Sequence, residues 1–111
     1  MRIDAKQLKR VDLVKVTGRV DSSNAHELER HLNDAMKLER YRIVLDFSGL
    51  DFLSSAGIRV LITAAKAARR WNRGDVRVSG LSDRLKETFA LAGLKPVIRA
   101  FDTTVDAVGS F

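Results

Sequence analysis

A short apolar strand leads into an amphipathic helix near the middle of this chain, and two serines lie at the junction. The run 43–45 is apolar and largely β-branched, and Ser48-Gly49 then turns the chain. After Ser54 and Ser55, apolar residues recur at helical spacing, at Ile58, Leu61, Ile62 and Ala65. The start of a helix carries free backbone N–H groups and the positive end of the helix dipole, which suit a capping hydroxyl or a phosphate. This junction predicts an α/β unit with Ser55 as a candidate phosphorylation site.

The rest of the chain alternates between strand and helix patterns. We expect strands over 2–8, 11–16, 42–46, 76–79 and 96–99. We expect helices that follow a cap at 21–23 and that cover 55–71, 82–92 and 103–108. Strands that alternate with helices need crossover connections, which produce a parallel or mixed sheet. The predicted fold is α/β, one domain over 1–111, with a small mixed, mostly parallel sheet flanked by about four helices.

Three finer expectations concern burial and helix ends. The strand 42–46 has an apolar centre with no clearly polar side, which indicates a central strand covered on both faces. Asp21, Ser22 or Ser23 is expected to cap the first helix. The third helix should direct Leu85, Phe89 and Ala92 inward and should end at Gly93.

Two segments carry a family resemblance. Residues 44–61 read VLDFSGLDFLSSAGIRVL, and residues 17–21 read TGRVD and precede a helical segment. Together they resemble the STAS domain in its stand-alone bacterial form, the anti-sigma factor antagonist. The resemblance implies the α/β architecture described above. It also implies partner switching, in which the unphosphorylated protein binds an anti-sigma factor that is an ATP-dependent serine kinase, and phosphorylation releases it. A PP2C-type phosphatase would then reset the protein.

The resemblance also assigns a phosphorylated residue. In the family pattern this residue is a Ser or Thr that directly follows an Asp or Ser and stands two positions before a Gly, which here is Ser55. Many family members carry Asp where this chain has Ser54, and Ser54 can act as a helix cap. The predicted partner-binding residues are Asp21, Ser54, Ser55, Ala56, Gly57 and Arg59.

Some of these residues have a structural interpretation as well. Asp21 either caps the first helix or borders the partner-binding face, where it would repel a phosphate. Ala56 and Gly57 either let a partner or a phosphate approach the backbone or let the helix pack closely on a strand. The residues alone leave both pairs of alternatives open.

The excess of basic residues also has several interpretations. The chain has 20 Lys and Arg against 14 Asp and Glu, a formal net charge of +6, and only Lys66, Arg69, Arg70 and Arg73 gather in one place. Cations at the end of a helix complement its dipole, which is the first interpretation; the alternatives are docking of an acidic protein and, after it, of a nucleic acid or a lipid. One Trp and one Tyr are too few for a base-stacking platform, so we expect no direct nucleic-acid partner.

Other function classes lack their characteristic residues. The chain has no Cys, and His26 and His31 are five apart, about 500° of helical rotation, so they do not face one another. We therefore expect no metal and no cofactor. We find no Gly-rich phosphate loop and no Ser-His-Asp arrangement, so we expect no enzymatic activity and no catalytic residues. We find neither a secretory signal nor an apolar run of ~18 residues, so a cytoplasmic location with no membrane span is expected.

Two rival functions remain open at this stage. The chain could be a STAS subunit or scaffold of a transport, secretion or stress-signalling complex without sigma factor output. It could also be an enzyme or a nucleotide-binding protein, although the missing catalytic motifs argue against that class.

Overall fold

The computed structural model describes residues 1–111 as one mixed sheet with four α-helices. The strands are β1 (Arg2–Gln7), β2 (Asp12–Val20), β3 (Arg42–Asp46), β4 (Leu50–Leu53), β5 (Asp75–Ser79) and β6 (Ala100–Phe101). The helices are α1 (Ala25–Lys37), α2 (Ser55–Arg69), α3 (Asp83–Leu91) and α4 (Thr104–Gly109), and a turn of 3-10 helix (Arg70–Asn72) follows α2. The predicted α/β class and the number of helices are confirmed.

The sheet has the strand order β1-β2-β3-β5-β6. Strands β1 and β2 form an antiparallel pair, whereas β2 with β3, β3 with β5 and β5 with β6 are parallel. Strand β4 pairs in parallel with the last residues of β2, beyond the part of β2 that pairs with β3. The prediction of a mixed, mostly parallel sheet is therefore confirmed.

Helices cover both faces of the sheet. Ile43 and Leu45 of β3 are fully buried in a large apolar cluster with residues of α1, α2 and α3. Val44 points to the other face, where it joins Val11 and Ala107 of α4 in a smaller cluster. Strand β3 is thus central and covered on both sides, as predicted.

None of the helices combines the length and the apolar character needed to cross a membrane.

The end of β2 and the whole of β4 differ from the sequence prediction. Strand β2 continues to Val20 instead of ending at Thr17-Gly18, as the sequence predicts, because Gly18 adopts φ +95° and the register with β4 shifts between Gly18 and Arg19. The sequence prediction has no strand at the residues of β4, between the turn at Ser48-Gly49 and the helix. In β4, Leu50 and Leu53 are buried, and Asp51 and Phe52 between them are exposed. Buried and exposed residues therefore do not alternate one by one, and the sequence lacks the pattern that predicts a strand.

Three other boundaries are also corrected. Residues 96–99 form a turn instead of a strand, with the Leu94 carbonyl accepting from the N–H groups of Val97 (2.9 Å) and Ile98 (2.8 Å). Ala92 is exposed, because α3 ends at Leu91, although Gly93 (φ +69°) terminates the helix as predicted. Helix α2 ends at Arg69, before the predicted 71, because the next residues leave helical backbone geometry.

Candidate functional site

The N-terminus of α2 lies where β2 and β4 both end. The backbone N–H of Ser54 donates to the carbonyl of Val20 over 2.9 Å, which joins the end of β4 to the end of β2. Asp21 directly follows Val20, and Ser55 is the first residue of α2. The fold therefore brings together residues from both segments that the sequence analysis singled out.

The two serines at the N-terminus of α2 have different structural roles. Ser54 has extended backbone angles (φ −78°, ψ 170°), and its Oγ accepts from the N–H of Gly57 at 3.2 Å. Ser54 is therefore the N-cap of α2. Ser55 is exposed, and its Oγ makes no hydrogen bond within the chain. Because Ser54 caps the helix, the Ser55 hydroxyl is available for chemistry.

Backbone donors remain free beside the Ser55 hydroxyl. The N–H groups of Ser55 and Ala56 have no partner within the chain, whereas Gly57 donates to Ser54 Oγ and Ile58 donates to the Ser54 carbonyl at 2.9 Å. Free amides at the positive end of a helix dipole favour a negative group. This end of α2 can therefore accommodate an anionic group without refolding.

Gly57 allows α2 to lie close to the strands. A Cβ on this residue would stand 2.6 Å from Leu53 Cδ1 and 2.8 Å from Val20 Cγ1, both side chains of the core. Gly57 is buried, so its small size serves the packing of the helix, one of the two interpretations above. Ala56 is half-buried and packs against the core, and part of its surface stays accessible next to Ser55.

Asp21 organises the turn between β2 and α1. Its carboxylate accepts from the Ser23 hydroxyl (2.6 Å) and from the Ser23 N–H (2.9 Å), and its carbonyl accepts from the Ala25 N–H. The hydrogen bond from the Ser23 hydroxyl contributes most to lowering the pKa of Asp21 below its usual 3.8. The hydrogen bond from the Ser23 N–H lowers the pKa further, and desolvation raises it by a smaller amount. Asp21 is thus anionic at neutral pH. The expected cap of α1 at 21–23 is wrong, because Asn24 is the N-cap and no side chain makes a cap hydrogen bond there.

Arg59 is an exposed cation near the Ser55 hydroxyl. It lies four residues after Ser55, one turn along α2 on the same side, and it forms no salt bridge. Its charge is therefore available to a partner or to an anion at Ser55.

Arg19 and Phe52 form an exposed pair that the sequence analysis missed. They are register partners on β2 and β4, and the Arg19 guanidinium lies 4.4 Å from the centre of the Phe52 ring. Phe52 is 36% exposed and precedes Ser54 by two residues. The only sequence signal was an aromatic residue within the motif, and its exposure depends on the pairing of β4 with β2.

The basic residues at the end of α2 divide into two pairs. Arg69 bonds Asp75 (Nε to Oδ1, 2.7 Å) and the Val97 carbonyl, and Arg73 Nη2 donates to the Ala67 carbonyl at 2.5 Å. These two arginines hold the last turn of α2 against the fold, in agreement with the helix-end interpretation. Lys66 and Arg70 are exposed and form no salt bridge.

No group of three His, Cys, Asp or Glu side chains is placed to hold a metal ion.

The division of tasks between the serines predicts different stabilities for two alanine variants. Ser54→Ala should lower the free energy of unfolding by about 1 kcal/mol, because the Gly57 N–H loses its cap. Ser55→Ala should change it by less than about 0.5 kcal/mol, because Ser55 Oγ has no partner. Urea denaturation of both variants and the parent measures these differences. A larger loss for Ser55→Ala than for Ser54→Ala would contradict the assignment of the cap.

Comparison with known sequences identifies one family along nearly the whole chain. The STAS domain model matches residues 2–107. BtrV of Bordetella bronchiseptica, by its name a candidate anti-sigma factor antagonist, is 32% identical over 94 residues, which cover 85% of this chain and 80% of BtrV.

Solved structures of this kind share the fold. The crystal structure of an anti-sigma factor antagonist from Mycobacterium paratuberculosis has a TM-score of 0.89 at 21% identity, covering 98% of this chain and 92% of the other. The phosphorylated form of the Bacillus cell fate determinant SpoIIAA has a TM-score of 0.75 at 15% identity, covering 98% of each chain. The STAS-like architecture expected from the two motifs is confirmed. This chain therefore belongs to the STAS domain family.

Proposed function

We propose that this protein is an anti-sigma factor antagonist that acts by partner switching controlled at Ser55. The observation that carries the proposal is the exposed Ser55 hydroxyl, which stands on the first residue of α2 and has no hydrogen bond within the chain. The name of the relative BtrV and the family membership support the class of function. The existence of a phosphorylated form of SpoIIAA supports phosphorylation as the control.

The proposed partner is a serine-kinase anti-sigma factor that uses ATP. Ser55 Oγ attacks the γ-phosphorus of ATP, its proton passes to a base of the kinase, and ADP leaves, so that Ser55 becomes a phosphoserine. A PP2C-type phosphatase then hydrolyses the phosphoserine with water and restores the hydroxyl together with inorganic phosphate. In this scheme the protein is a substrate and a binding partner, and the catalytic groups belong to the two enzymes.

The binding face that we propose surrounds Ser55. Ser54 and Gly57 set the position of the hydroxyl, the accessible part of Ala56 lets the kinase approach, and Arg59 supplies a free cation one turn away. The exposed ring of Phe52, stacked by Arg19, adds apolar surface beside the same junction.

Asp21 gives this face a fixed negative charge. It directly follows Val20, whose carbonyl accepts from Ser54, and its lowered pKa keeps the carboxylate ionised. A phosphate on Ser55 would add a second and larger negative charge of about −1.5 to −2 to the same face. A kinase partner that binds the unmodified face therefore meets a changed potential after the transfer.

Incubation with the cognate kinase and ATP tests the proposal. We expect one phosphate per chain, at Ser55, because this hydroxyl alone combines exposure with the first position of α2. Intact-mass and fragment spectra measure the number and the place of the phosphates. The Ser54→Ala variant, which keeps Ser55, should still be modified, whereas Ser55→Ala should not. Phosphate that persists on Ser55→Ala would overturn the assignment.

A further inference from the structure

A second surface of unusual composition lies at the opposite end of α2 from Ser55. It consists of Arg10, Tyr41, Arg42, Arg70, Trp71 and Arg73, and is called here the Trp71 surface. Helix α2 has 15 residues, so the two ends are about 22 Å apart. A molecule bound at this surface would leave the Ser55 face open.

The conformation and exposure of Trp71 are not explained by the folding of the chain. The residue has φ 55° and ψ 30°, and Asn72 follows with φ 57°. A bulky residue rarely adopts this left-handed region, because its Cβ crowds the backbone. Trp71 is also 79% exposed, so the indole recovers little from burial. Folding therefore gains little from a Trp at this position, which points to a contact of the ring with another molecule.

The segment that presents Trp71 is held in place on both sides. Gly74 lies so close to Tyr41 that a Cβ on Gly74 would overlap the Tyr41 carbonyl, and the Asp75 N–H donates to that carbonyl at 3.0 Å. The Arg73 guanidinium lies 3.9 Å from the centre of the Tyr41 ring and 5.2 Å from the centre of the Trp71 ring. The backbone next to Trp71 is therefore fixed before binding, which lowers the entropy cost of docking at this surface.

Positive charge exceeds negative charge around this stack. A cavity of about 120 Å³ is lined by Arg10, Glu39, Arg40, Tyr41, Arg42 and Arg73. Arg40 is neutralised by Asp12, with Nε 2.6 Å from Oδ1. The other three arginines form no salt bridge, and Glu39 is the only acidic residue that lines the cavity. Arg70 adds a further exposed cation beside Trp71.

We propose that the Trp71 surface docks an acidic segment of a partner protein, with a carboxylate in the arginine cavity and an apolar side chain against Trp71. Arginine forks match carboxylates in geometry and charge, and Trp, Tyr and Arg are the residues most enriched at the energetic centres of protein interfaces. Nucleic-acid platforms stack successive bases on several rings, and here Arg73 covers the ring of Tyr41.

A synthetic peptide with six glutamates around a central leucine serves as the probe. Trp71 is the only tryptophan of the chain, so its fluorescence reports directly on this surface. We expect saturable binding with a shift of the Trp71 emission, and no shift with a peptide in which glutamine replaces every glutamate. Arg42→Gln should weaken binding at least fivefold. Arg84→Gln, the same change at an exposed arginine of α3, should leave it unchanged.

The Trp71→Gly variant separates binding from folding. Glycine adopts φ 55° without strain, so the melting temperature of Trp71→Gly should stay within about 3 °C of the parent. Fluorescence anisotropy of a labelled acidic peptide should show that the variant binds it at least tenfold more weakly. Ser55→Asp should bind the peptide as the parent does, which makes this test independent of the partner switch. The proposal is overturned by equal binding of the glutamine peptide, by a large fall in melting temperature for Trp71→Gly, or by binding only to anionic vesicles or oligonucleotides.

Discussion

Phosphorylation of Ser55 is expected to lower the affinity for the kinase partner by a few hundredfold. The unmodified hydroxyl is neutral and exposed on the first residue of α2. In the proposed complex, a phosphate would add about −1.5 to −2 charges to an interface that binds the neutral hydroxyl and that also contains the carboxylate of Asp21. A cost of about 3 to 4 kcal/mol in binding free energy corresponds to that loss of affinity.

Calorimetric titration of the partner with three forms of the protein measures the switch. Ser55→Ala should keep the affinity of the unmodified parent, the phosphorylated parent should show the full loss, and Ser55→Asp should fall between them because it carries only one charge. The melting temperature of the phosphorylated form should not fall, because the free N–H groups of Ser55 and Ala56 face the added charge. Equal affinities of the three forms would exclude an electrostatic switch.

Gly74→Ala is expected to lower the free energy of unfolding by about 3 kcal/mol or more. The added Cβ would overlap the carbonyl carbon and oxygen of Tyr41, which are backbone atoms and cannot move as a flexible side chain can. Asp75 pairs with Arg42 at the start of the β3–β5 ladder, and its N–H bonds the same Tyr41 carbonyl. Relief of the clash would therefore separate two central strands of the sheet.

Gly109→Ala is the matched control for this substitution. Gly109 is the last residue of α4, and a Cβ there would meet nothing within 4 Å. This variant should be neutral or up to about 1 kcal/mol more stable, because Ala is the better helix former. Urea denaturation of both variants gives the comparison. Similar stabilities for Gly74→Ala and Gly109→Ala would show that the close approach to Tyr41 is absent in solution.

Local patterns in the sequence were enough to predict most elements. Strand β3 was placed at 42–46 and described as covered on both faces, since three consecutive apolar residues leave no polar side. A helix start at the two serines and a stop of α3 just before Gly93 follow from the preferences of Ser for caps and Gly for left-handed termini. These features depend on residues close together in the chain, so the sequence contains them directly.

Strand β4 and the role of each serine depended on contacts across the fold. Leu50–Leu53 has no alternating pattern and becomes a strand because β2 bends at Gly18 and continues alongside it. Ser54 and Ser55 have the same intrinsic preference for the cap. The hydrogen bond from the Ser54 N–H to Val20 places Ser54 at the strand end and leaves Ser55 as the first helical residue.

The family motif, the fold class and the candidacy of Ser55 were thus predicted from the sequence alone, because each depends on local patterns along the chain. The tertiary structure decided which basic residues are free. Arg69 is held by Asp75 and by the Val97 carbonyl, which is 28 positions away in sequence, whereas Arg70 stays exposed. Charge is visible in a sequence, but its neutralisation depends on distances that only the folded chain sets.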